Sequence, residues 1–132
     1  MFPLETRILV ADDMMAICDL IKMHLKLLGF ENVTTANDGK QVIDLLNEGR
    51  QWGKSIELLI CDWNMPIKTG IEILEYVRAH KDFEKIPFIM ITSENDREQV
   101  ARAILEGVNH YIVKPFTSKT LKERLTSVYE RL

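Results

Sequence analysis

The sequence predicts a doubly wound α/β domain, with one open five-stranded parallel sheet and five helices packed on its two faces. Three observations carry this. Short apolar runs rich in β-formers alternate with longer segments whose apolar residues recur every three or four positions. Two of the short runs, 56–61 and 87–91, are almost uninterrupted, as central strands covered on both faces must be. The segments between runs are long enough for helical crossovers, which make neighbouring strands parallel. With 132 residues and 46% of them apolar, the chain is sized for one domain with a substantial core.

The elements follow in order. Residues 7–11 form a first strand that stops at the acidic pair Asp12 and Asp13. Over 14–28, Ile17, Leu20, Ile21, Leu25 and Leu28 line one helical face, and Gly29 ends the helix. Residues 33–36 are a second strand. Asn37, Asp38 and Gly39 then turn the chain into a helix carrying Val42, Leu45 and Leu46, which Gly49 closes. Residues 50–55, with Trp52 and Gly53, have no clear period and read as a loop. The third strand, 56–61, leads into Asp62. Ile71, Leu74 and Val77 mark the next helix, with Thr69 as its N-cap. The fourth strand, 87–91, ends at Thr92 and Ser93, and Val100, Ala103, Ile104 and Gly107 define the helix after it. Residues 110–113 are the last strand, followed by Lys114 and Pro115; Leu121, Leu125, Val128 and Leu132 line a terminal helix.

Composition narrows the function. A net charge of −3 argues against broad nucleic-acid binding, which needs a basic face, so partners are expected to be proteins or small ligands. The cysteines, Cys18 and Cys61, lie in apolar surroundings without a CxxC spacing and read as reduced core residues. No apolar run approaches the ~20 residues of a membrane span and no signal peptide is visible, so the expected location is the cytoplasm.

In open parallel sheets the functional groups gather outside the carboxyl ends of the strands. Those ends carry Asp12 and Asp13, Asp62, Thr92 and Lys114. A carboxylate directly after Leu58, Leu59, Ile60 and Cys61 is costly to desolvate unless something neutralises it. Three neighbouring carboxylates also repel one another, so keeping them ionised calls for a cation. Mg²⁺, with its preference for carboxylate oxygens, water and phosphate, fits, and Lys114 adds a fixed positive charge. Such a site suits phosphoryl transfer, with Asp62 as the nucleophile that becomes an acyl phosphate. Taken singly, each residue has a plainer reading: the acidic pair or Thr92 as helix caps, Asp62 as a loop cap, Lys114 as a solvated side chain. His24, His80 and His110 read as surface or boundary residues, and Met14, Met15 and Met65 as the rim of the acidic site.

Asp12 with Asp13, Asp62-Trp63-Asn64-Met65-Pro66, Thr92, and Lys114-Pro115-Phe116-Thr117, in this order, resemble the motifs of response-regulator receiver domains, most of all the single-domain chemotaxis regulators. The resemblance spans the whole chain and implies one receiver domain over 1–132 with no output domain. The strand order 2-1-3-4-5 of flavodoxin-like folds is likewise taken from the resemblance; the chemotaxis regulator is itself a standard example of that order. By the same resemblance, Asp62 accepts a phosphoryl group from a phosphohistidine on a histidine kinase. Asp13, Asp62 and the backbone carbonyl of Asn64 hold Mg²⁺, and Asp12 acts through the metal's water shell. Lys114 contacts the phosphoryl oxygens, Thr92 moves to bond one of them, and Tyr111 swings into the space vacated. The Lys114–Pro115 bond is expected to be cis, and Asn64 and Glu94 to tune hydrolysis of the acyl phosphate.

The output face implied is the helix over 96–106, the strand carrying Tyr111, and the last helix with Lys122 and Arg124. Arg97, Tyr111 and Arg124 are its expected anchors. The expected product is a monomeric switch rather than a turnover enzyme, docking to a target such as a flagellar-motor component and reset by its own hydrolysis or by a phosphatase. The chain departs from its nearest relatives at Cys18 and Asp19, where basic residues are common, at Thr69, where an acidic or amide residue is common, and in a lengthened 50–55 segment. Other readings are a phosphate-sink or phosphorelay receiver and, from a different class, an aspartyl-nucleophile phosphatase. The last would want a general acid where Asn64 stands.

Overall fold

The structure, a computed structural model, describes residues 1–93 and 97–132. Among them five strands alternate with five helices: β1 (Ile8–Ala11), α1 (Met15–Leu27), β2 (Val33–Ala36), α2 (Gly39–Gln51), β3 (Leu58–Asp62), α3 (Gly70–Ala79), β4 (Phe88–Thr92), α4 (Arg97–Leu105), β5 (His110–Val113) and α5 (Ser118–Glu130). The strands pair in parallel in the order β2-β1-β3-β4-β5, the flavodoxin-like order. Alternate residues along each strand face opposite sides of the sheet, which divides the core in two. Leu9, Ala11, Leu59, Cys61, Phe88 and Met90 pack with Val42, Leu46, Leu74 and Val77 on one side. Ile8, Val10, Ile60, Ile91 and Ile112 pack with Cys18, Ile21, Leu25, Leu121 and Leu125 on the other. Both cysteines are free and buried, and because they belong to opposite sides they do not meet.

Several expected boundaries move, each for a visible reason. Gly49 does not close α2, which runs on to Gln51. The helix ends instead at Gly53, whose φ of +70° suits a residue without a Cβ. Its amide bonds to Arg50 O at 3.3 Å and the Lys54 amide to Gly49 O at 2.7 Å, the paired bonds of a Schellman cap. Gly49 is needed for room: a Cβ there would stand 2.7 Å from Lys54 O. The stretch 50–55 therefore begins with the last two residues of α2, with an exposed Trp52 as the cap residue. In α1 the buried stripe is Cys18, Ile21 and Leu25, while Leu20 faces solvent. Ile104 and Leu132, expected on core faces, are exposed, and α4 buries Ala103 alone. The three histidines are half-buried, at the boundary as expected. No helix among the described residues is long and apolar enough to cross a membrane.

Register sets the site. Ala11 pairs with Cys61, Asp62 with Ile91 and Thr92 with Val113, so β1, β3, β4 and β5 end at one edge.

A candidate acidic site at the strand ends

Asp12 leaves β1 with its amide still bonded to Ala36 O at 3.1 Å, which carries the chain inward as though the strand continued. Its carboxylate is fully buried. One oxygen accepts the Met14 amide at 2.9 Å and the other lies 2.5 Å from Lys114 Nζ. The N-cap residue of α1 is Met14, and its side chain makes no cap bond. Asp12 thus stabilises a turn two residues on rather than capping a helix. Asp13, next in the chain, is exposed.

Asp62 ends β3 and is only 5% exposed. Burial first, then the neighbouring Asp12 carboxylate, raises its carboxyl from the usual 3.8 to about 6, against the opposing pull of Lys114 and a backbone hydrogen bond with Trp63. Lys114 Nζ stands 3.6 Å from Asp62 Oδ1. The lysine is held by its backbone, its amide bonding Thr92 O at 2.7 Å, and the Lys114–Pro115 bond is cis. Its ammonium group is mostly buried among carboxylates, which sets aside the solvated reading.

The loop after Asp62 is fastened at both ends. Thr69 caps α3 in a capping box: Glu72 N bonds Thr69 Oγ1 at 3.4 Å, and Thr69 N bonds Glu72 Oε1 at 3.1 Å. Gly70 packs against the strand end, its amide bonding Trp63 O at 2.7 Å, and a Cβ there would stand 2.3 Å from Asp62 O. Trp63 and Met65 point into the core, so Met65 does not belong to the rim, whereas Met14 and Met15 are exposed. Asn64 is exposed on this loop.

One carboxylate oxygen from each of Asp12, Asp13 and Asp62 lies within 4.8 Å of the other two. This all-oxygen, anionic donor set fits a hard divalent cation such as Mg²⁺. The structure therefore brings Asp12, Asp13, Asp62 and Lys114 together. Thr92 is fully buried at the end of β4, beside β3. Tyr111 and Arg124 are half-buried on β5 and α5, and Arg97 is exposed at the start of α4. Glu94 and Asp96 lie outside the described residues.

Sequence reasoning missed the pairing of Lys114 with Asp12 and the two glycines, Gly39 and Gly70, against which the β3–α3 loop is built. A glycine at the first position of a helix was the available signal for both.

The comparisons agree with this geometry. The profile of the family described as "Response regulator receiver domain" matches residues 8–126. The chain is 41% identical to the chemotaxis protein CheY-3 of Vibrio cholerae serotype O1, over 96% of this chain and 93% of that protein. It is 40% identical to the chemotaxis protein CheY of Pseudomonas aeruginosa, over 96% and 98%. Among solved structures, the chemotaxis response regulator CheY4 of Vibrio cholerae superposes with a TM-score of 0.79 at 30% identity, covering 94% of this chain and 98% of that one. A response-regulator receiver domain protein from Clostridium thermocellum gives 0.83 at 29%, covering 96% and 95%. A chain that carries these strand ends on this sheet, with relatives matched over nearly their full length, belongs to the response-regulator receiver domains and is CheY-like.

Proposed function

We propose that this chain is a stand-alone phosphoacceptor switch of a two-component system, working in the cytoplasm as a monomer, with chemotaxis as its setting. Asp62 is the acceptor. One of its carboxylate oxygens attacks the phosphorus of a kinase phosphohistidine; the P–O bond forms as the P–N bond breaks, and the histidine nitrogen keeps the electron pair. The observation that carries this reading is the meeting of a 5%-exposed Asp62 with Asp12, Asp13 and Lys114 at one sheet edge.

Mg²⁺ would be held by Asp13, Asp62 and the backbone carbonyl of Asn64, with Asp12 acting through its water shell. Once bound, it supplies positive charge that neutralises phosphoryl oxygens. Lys114, already 3.6 Å from Asp62, contacts those oxygens as well, loosening its hold on Asp12. Phosphorylation replaces a small anion with a larger one rich in acceptor oxygens, so the Thr92 hydroxyl gains a partner and Tyr111 turns inward behind it. The residues at Asn64 and Glu94 tune hydrolysis of the acyl phosphate. This makes the protein a switch with self-catalysed resetting, open to acceleration by a phosphatase.

The output face is α4, β5 and α5, presented to a target such as a flagellar-motor component, with Arg97, Tyr111 and Arg124 as anchors. The test is transfer from a phosphorylated histidine-kinase domain. Label is expected on the unsubstituted chain, in the alkali-labile form of an acyl phosphate, and none on Asp62→Asn. Stable label on the Asp62→Asn chain would contradict the assignment.

A further inference from the structure

The turn Pro66-Ile67-Lys68, four residues beyond the end of β3, is closed by a bond from Lys68 N to Pro66 O at 2.8 Å. The residue it encloses, Ile67, has φ +71°, and it is the sole non-glycine residue at positive φ among those described. A three-residue turn of this hand is rare and strained, and a β-branched residue fits it badly. The strain is imposed from outside. Gly39, at the start of α2, bonds Pro66 O through its amide at 3.3 Å and packs so closely on the turn that a Cβ would stand 2.4 Å from Lys68 Cβ. Glycine or asparagine would make the same turn at less strain.

The isoleucine side chain recovers none of this in the core, because it is 69% exposed. It stands instead on the loop after Asp62. Next to it, the loop after Asp12 on the adjacent strand bears Met14, 58% exposed, and α1 opens with Met15, 66% exposed. Apolar side chains are thus displayed on both loops bordering a strongly charged site. Asp62 is recessed, so a phosphoryl group carried on a protein reaches it only if that protein's surface seats on these loops.

We propose that Ile67 is a specificity contact for the protein phosphodonor: its strained turn holds an apolar side chain out from the site's edge, where the apolar surface around the donor's phosphohistidine covers it. The inference rests on Asp62 being the acceptor. Burial is gained only in the complex, so the side chain should affect transfer from a kinase and leave transfer from a small donor alone.

The test compares two donors, acetyl phosphate and a phosphorylated chemotaxis histidine-kinase domain chosen because it labels the unsubstituted chain. Ile67→Asn and Ile67→Gly should both melt at higher temperature than the unsubstituted protein, because strain is released. Both should label with acetyl phosphate and Mg²⁺ at rates within about twofold of it. Transfer from sub-saturating kinase should fall about tenfold, the loss of one buried aliphatic contact. Trp52→Ala, which removes an exposed apolar group remote from the strand-end edge, should transfer normally. Unchanged kinase transfer in both Ile67 variants would overturn the proposal. So would a parallel fall with both donors, which would place Ile67 in the chemistry, or an equal fall in Trp52→Ala. Failure of acetyl phosphate to label Asp62 in the unsubstituted chain would overturn the acceptor reading itself, and this inference with it.

Discussion

Asp62 is held in a state that folding does not favour. Its carboxyl is raised to about 6 against an unfolded value near 3.8, so the folded chain favours the protonated acid more than the unfolded chain does. The ionised group therefore destabilises the protein above pH 6, an effect that fades as pH falls through that value and is gone below 3.8. Asp62→Asn removes it. In metal-free buffer at pH 7 that variant should be more stable by on the order of 2 kcal/mol, and the advantage should shrink between pH 7 and pH 5. Denaturant titrations at the two pH values check this; an equal advantage at both would contradict the cause assigned.

Lys114 works in the opposite sense. It is the ion-pair partner of a fully buried Asp12, so Lys114→Ala leaves that carboxylate uncompensated. A loss of about 1–3 kcal/mol is expected, together with a protein that still accepts phosphate but shows no phosphorylation-dependent gain in target affinity. An unchanged gain would count against the switching role of Lys114. Asp13→Ala, at an exposed carboxylate, should fold normally and bind Mg²⁺ far more weakly, read from a Mg²⁺ titration of the Trp63 fluorescence.

At the level of helices and loops, β3 is positioned by its pairing with β1 and β4, and its carboxyl end is fastened by the β3–α3 loop and the start of α3. The Thr69–Glu72 capping box fixes where α3 begins, and Thr69→Ala should cost about 1 kcal/mol. Gly70→Ala is expected to be worse for function than for folding. Its new methyl would meet Asp62 O at 2.3 Å and push on the strand end that carries the proposed nucleophile. Slower labelling by a small donor, beyond what the loss of stability explains, is the expected result.

The sequence showed these elements unevenly. Strands β1, β3 and β4 were visible because two-sided burial makes them nearly continuous apolar runs, whereas the half-exposed edge strands β2 and β5 were visible as short β-rich stretches between helical segments. Helix ends were less so: Gly49 looked like a terminator, yet a glycine is also required where backbone approaches backbone, and only the folded chain separates the two uses. Leu20 and Ile104 fell within acceptable helical spacing of a core face, but the stripe that is buried lies one step around the helix, through Cys18 and Ala103.

For the molecule as a whole, the acidic site was legible because the topology gathers all strand ends at one edge, so residues scattered from Asp12 to Lys114 could be placed together without a contact being seen. The sharing of charge within the cluster stayed hidden. Lys114 pairs with Asp12 more closely than with Asp62, a detail set by the path of the β5–α5 loop. The strained turn at Ile67 was also invisible, since no residue type there announces a positive φ. The thin packing of α4, with Ala103 alone buried, is compatible with the proposed output face. A coupling of about 1–3 kcal/mol between the proposed acceptor site and the proposed output face would be enough to shift such a helix without unfolding anything.

Intact mass after treatment with acetyl phosphate, with and without Mg²⁺, tests acceptor and metal together. The account predicts a gain of one phosphoryl group in Mg²⁺, little without the ion, and none in Asp62→Asn. Equal labelling with and without Mg²⁺, or a full phosphoryl group on the Asp62→Asn chain, would contradict it.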